Sequence, residues 1–69
     1  MSKKSYIYEL TVDEKRYNEE YGNYSVQVKR FLGNDVNVLK ERFEMWFIKS
    51  PYDREDITVH VGYVQHAGY

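Results

Sequence analysis

Apolar residues recur along this chain with a period of two, then of about 3.6, then of two again, and each change of period marks an element. Tyr6, Tyr8, Leu10 and Val12 alternate with Ile7, Glu9 and Thr11, the pattern of a half-buried strand. From Asp13 to Asn23 the chain is polar and closes on Tyr21-Gly22-Asn23, a turn signal because glycine and asparagine tolerate positive φ. This predicts a long hairpin with ragged extensions through Lys15 and Tyr17. In the second strand Tyr24, Val26, Val28 and Leu32 share one face, opposite Ser25, Gln27, Lys29 and Phe31, and Arg30 interrupts the apolar face near its end.

Gly33 breaks that strand, and Asn34 or Asp35 can cap the first free amides of a helix. Over about Val36 to Ile48 the period lengthens: Val36, Leu39, Phe43, Trp46 and Phe47 fall within one arc about 100° wide, the stripe of a helix lying on a sheet. Lys49 suits the C-terminal end of the helix dipole, and Ser50-Pro51 ends the helix because the residue before proline is driven out of helical geometry. After the charged loop from Tyr52 to Asp56, Ile57, Val59, Val61 and Tyr63 alternate with Thr58, His60 and Gly62 as a third strand. The element order β-β-α-β defines one small α+β domain over residues 1–69, with loosely held ends at about 1–4 and 65–69. A helical crossover returns strand three parallel to strand two. The simplest sheet therefore places strand one between them, a mainly antiparallel three-stranded sheet of order 2-1-3 with the amphipathic helix on one face.

Composition narrows the possible chemistry. With 69 residues the core is small, and the eight tyrosines, three phenylalanines and one tryptophan weight it towards aromatics. A core of this size usually needs a disulfide, a metal or self-association as well. There is no cysteine and there are only two histidines, so self-association, a homodimer, is the expected device. Ten basic residues against eleven acidic ones set up no global field for nucleic acid or anionic lipid. No apolar run follows the basic start, and no stretch approaches the roughly 20 apolar residues of a membrane span. The expectation is a cytoplasmic protein, or one of the host cytoplasm if the source is viral, with no membrane partner.

Catalytic and cofactor chemistry find no foothold. His60 and His66, on one face if the strand continues, would stand roughly 20 Å apart, too far to share an ion. No nucleophile with a partner base and no glycine-rich phosphate loop accompanies them. The sequence therefore predicts no enzyme activity, no cofactor and no metal.

Contact residues are better supported. Val38 and Met45, seven apart, point almost opposite the core stripe, with Ile48 to one side, and methionine is common on adaptable binding surfaces. Tyr6, Tyr8, Tyr24 and Tyr63 follow strand pattern on the core side, whereas Tyr17, Tyr21, Tyr52 and Tyr69 sit in polar segments where a ring with a polar tip suits an interface. Val38, Met45, Tyr21 and Tyr52 are the expected partner-binding residues. Strand three also has no inward charge to blunt its edge.

These features point to a non-catalytic protein-binding module, a small inhibitor or adaptor that blocks a larger protein or enzyme by occupancy. Small bacteriophage proteins that neutralise a host enzyme or immune nuclease share that general character of size and composition. The alternative is a single-stranded nucleic-acid-binding protein, with Lys3, Lys4, Lys15, Arg16, Lys29 and Arg30 supplying charge between aromatic rings. Asp13, Glu14, Glu19 and Glu20 in the same hairpin oppose it, as does an outer sheet face without paired aromatics. A structural subunit of a larger assembly is the third reading.

Overall fold

The structure, a computed structural model, describes residues 6–64. The expectations for the two ends, including Lys3, Lys4, His66 and Tyr69, lie outside the described residues. The elements follow in the expected order: β1 (Tyr8–Asn18), β2 (Gly22–Gly33), α1 (Val36–Lys49), a 3-10 turn (Arg54–Asp56) and β3 (Ile57–Tyr63). The sheet order is β2-β1-β3, with the central β1 antiparallel to both neighbours.

The polar segment 13–23 becomes the far half of a long β-ribbon. Its pairing with β2 runs to Asn18↔Gly22, whereas β3 stops at Glu14↔Ile57. Asn18 closes the turn, its side-chain oxygen accepting from the amides of Glu20 (2.7 Å) and Tyr21 (3.3 Å). Gly22 takes a φ of 80°, the left-handed region where a side chain would be strained. The ribbon thus projects past the three-stranded part by four residues of β1, about 14 Å at the usual rise.

The β1–β2 register contains a shift that strict alternation does not anticipate. Val12 pairs with Lys29 but Asp13 pairs with Gln27, so Val28 is the extra residue of a β-bulge. Beyond it the faces of β2 exchange relative to the sequence expectation. Phe31, opposite Leu10, turns towards the helix and packs on the core, while Leu32, opposite Glu9, turns to the other face. Lys29 also lies on the helix side, its ammonium 5.3 Å from the centre of the Phe31 ring. Arg30 interrupts nothing, because it stands on the outer face and donates to Glu9 at 3.0 Å.

Helix α1 starts where expected and ends one residue later. Asp35 is the N-cap and accepts from the amide of Asn37 at 2.9 Å. Asn34 serves a different purpose, since its side-chain oxygen accepts from the amide of Ile7 at 2.9 Å and ties the start of the helix to the start of the central strand. Ser50 ends the helix, with both its amide (3.0 Å) and its hydroxyl (2.7 Å) donating to the carbonyl of Phe47. Replacing the cap, Asp35→Ala, is expected to lower stability by about 1 kcal/mol. Urea unfolding followed by circular dichroism measures it, and an unchanged midpoint would show that Asn37 finds another acceptor.

The core is Leu10, Val12, Leu39, Phe43 and Ile57, with Tyr8, Val28, Phe31, Trp46, Phe47 and Tyr52 packed around it. All five central members are apolar, and no polar side chain is buried among the described residues. Phe43 stacks on Phe47 at 5.7 Å and meets Trp46 at 6.1 Å, and Trp46 in turn stands edge-on to Phe31 at 6.4 Å. Gly33 permits the close approach of the helix, since a Cβ there would lie 3.0 Å from Cδ2 of Leu39. The helix packs chiefly on β1 and β2. That arrangement leaves β3 largely uncovered, and it decides which apolar residues reach the surface.

Candidate functional site

The outer face of α1 carries the first candidate surface. Because Leu39 and Phe43 are fixed in the core, residues opposite them on the helical wheel must face outward. Val38 is exposed, and Met45 and Ile48 more so, at 64% and 75%. Met45 and Ile48 line a shallow depression together with Lys40, Glu41 and Glu44. Its walls are apolar at Met45 and Ile48, and its rim bears two carboxylates and the ammonium of Lys40. Glu44 is held by Arg54 at 2.6 Å, and the Arg54 guanidinium also lies 4.8 Å from the centre of the Phe47 ring. The 3-10 turn is thereby clasped to the side of the helix, which leaves Glu41 as the carboxylate nearest the outward row without an observed cation partner.

Tyr52 and Tyr21 occupy different places from that row. Tyr52 is half-buried, its ring 5.9 Å from Trp46 and its amide donating to the Ser50 hydroxyl at 3.4 Å, so it extends the aromatic cluster at the helix C-terminus. Tyr21 is 80% exposed at the tip of the ribbon, where it lines a second depression with Asn18 and Tyr24. The ribbon carries it beyond the end of β3 and away from the helix. Val38 and Met45 therefore form one surface with Ile48, and Tyr21 forms another with Tyr24 and Asn18, whereas Tyr17, paired with Asn23, lies on the opposite face of the ribbon.

The outer face of the sheet is dominated by paired charges. Glu9 meets Arg30, and the Asp13 carboxylate lies 3.9 Å from Nε2 of His60. On the ribbon Glu14 both accepts a hydrogen bond from Arg16 at 2.8 Å and attracts its charge, which raises the Arg16 guanidinium above its ordinary pKa. Among the described residues no three His, Cys, Asp or Glu side chains are grouped to hold a metal ion. No helix among them is long and apolar enough to cross a membrane.

A third surface is the one that strand periodicity assigns to the core. Val59 and Val61 lie on the helix side of β3 yet remain exposed, as does Tyr63, whose ring meets Tyr8 at 5.4 Å. Only Ile57 of this strand is buried. The sequence holds a signal for this. A helix about 10 Å across covers roughly two strands spaced about 4.8 Å apart, so a single helix cannot shield all three.

No protein-family model, no curated protein and no solved structure matches this chain.

Proposed function

We propose that this chain is a non-catalytic protein-binding module, an inhibitor or adaptor that works in the cytoplasm by occupying a surface of a larger protein. The observation that carries this reading is the outward row Val38, Met45 and Ile48 on a helix whose opposite stripe already fills the core. Among the described residues the row takes no part in the core cluster. Anchors at i, i+7 and i+10 on one side of a helix suit insertion into an apolar groove of a partner. The rim is of mixed charge, with Lys40 and Glu41 beside a Glu44 already engaged by Arg54, so apolar insertion and not charge carries the recognition.

The nucleic-acid alternative is weaker on charge. Of the cations that would track phosphates, Arg16 and Arg30 are already engaged by Glu14 and Glu9. The role of a structural subunit would instead require assembly beyond a dimer.

The double substitution Val38→Glu with Met45→Glu tests the helix row, because both side chains are exposed and the fold should persist. Affinity capture from bacterial lysate, with and without nuclease, is expected to retain one stoichiometric protein on the native chain and to lose it on the double variant. Retention of the same protein by both would remove the helix row as the site. Recovery only of nuclease-sensitive material would replace the reading with the nucleic-acid one.

A further inference from the structure

Among the described residues no strand pairs with the outer edge of β3, and that edge has the properties of a self-pairing strand. The amide of Val64 donates to the carbonyl of Ile7 at 2.9 Å, and the pairing runs from there to Glu14↔Ile57 without a register shift. Backbone groups alternate in direction along a strand. Those of Thr58, His60, Gly62 and Val64 therefore point to β1, and those of Ile57, Val59, Val61 and Tyr63 point to the free edge. The sequence of β3, ITVHVGY, contains no Lys, Arg, Asp, Glu or Pro that would protect that edge. The opposite edge of the sheet is protected: β2 carries the bulge at Val28 and the charges of Lys29 and Arg30.

We propose that β3 pairs antiparallel with β3 of a second copy of this chain about a two-fold axis at His60. In this register Ile57 faces Tyr63 of the partner copy and Val59 faces its Val61, so every residue of the strand is matched. The residues in these pairs are the ones whose amides and carbonyls point outward, which allows about eight hydrogen bonds across the axis. Three of them, Val59, Val61 and Tyr63, are also the residues whose apolar side chains α1 leaves uncovered, and Val59 and Val61 of the two copies become cross-strand neighbours. No ammonium, guanidinium or carboxylate of the strand meets its own copy. The two His60 side chains meet on the outer face, each with the Asp13 carboxylate of its own chain 3.9 Å away. Centring the axis on Val59 would leave Tyr63 unpaired, and centring it on Val61 would leave Ile57 without a partner in β3.

The two-fold relating antiparallel strands is normal to the sheet, so both helices lie on one face of a six-stranded sheet. With strands about 4.8 Å apart and each helix over β1 and β2, the helix axes stand about 19 Å apart. Val59, Val61 and Tyr63 of both copies form the floor between them. Each outward row of Val38, Met45 and Ile48 stays free, so dimerisation and partner binding are independent properties.

The absence of cysteine from the chain permits a direct test of the register. Under mild oxidation His60→Cys is expected to form a covalent dimer, because only position 60 faces itself at disulfide distance, whereas Val59→Cys and Val61→Cys are not. Light scattering of the native chain should give a dimer. The double variant Val59→Lys with Val61→Lys, which replaces exposed side chains and preserves the β1 ladder, should give a folded monomer by circular dichroism. A native chain that stays monomeric at high concentration, a lysine variant that stays dimeric, or cross-linking at 59 or 61 in place of 60 would each overturn the proposal.

Discussion

Phe43→Ala is expected to remove a large part of the stability of the protein. The ring is 5% exposed and is the hub of the aromatic cluster, stacked on Phe47, in contact with Trp46 and lying under the Arg54 guanidinium. Truncating a buried phenylalanine costs about 3–5 kcal/mol, the lost transfer free energy plus the cavity that remains. A domain of this length has a total stability of about 3–10 kcal/mol, so the substitution removes a large part of it. Only five side chains make up the buried centre, and no second core exists among the described residues to hold the fold together. Thermal and urea unfolding by circular dichroism measure the effect. A loss below about 1 kcal/mol would mean that Trp46 and Phe47 collapse into the space and that the cluster is not tightly packed.

The second large effect is a contrast between neighbours. Phe31→Thr is expected to cost about 2–3 kcal/mol, because its ring leaves the core and its edge-on contact with Trp46. Leu32→Thr, one residue on, is expected to cost less than about 1 kcal/mol, since Leu32 faces Glu9 on the outer side and threonine suits a strand. An uninterrupted alternation along β2 predicts the reverse order, with Leu32 in the core and Phe31 outside. Comparing the two unfolding midpoints therefore tests the bulge at Val28 itself. If Leu32 proved the more sensitive position, the register between Tyr8–Val12 and Lys29–Gly33 would be wrong.

The bulge shows where sequence periodicity stops being informative. Each strand of this protein is legible because its apolar residues alternate, but alternation counts residues along one chain and is blind to a residue that has no partner across the ladder. Val28 is such a residue, and a single insertion moves every following side chain to the other face. The one anomaly that alternation leaves in β2, Arg30 on an apolar face, is the mark of it. Taken as a register signal, Arg30 places Phe31 inward.

The candidate contact residues divide in the same way. The exposure of Val38 and Met45 is readable because a helix has one core stripe and geometry fixes what lies opposite it. Tyr52 is not, since a loop residue has no periodicity to reveal that it stacks on Trp46. Val59, Val61 and Tyr63 alternate as core residues do, yet burial of a strand face depends on what is placed over it, and α1 lies over β1 and β2.

The sequence by itself determined the four main elements, their order, the stop of the helix and the two candidates for its cap, and the sheet order that a crossover and a hairpin impose. Those features follow from local stereochemistry and from the short reach of the connections, both of which act within a few residues. The tertiary structure decided the register of β2, the projection of the ribbon beyond the sheet and the exposure of β3. Each of these depends on how one element meets another: a ladder with one unmatched residue, two arms longer than their neighbour, and a single helix too narrow to cover three strands.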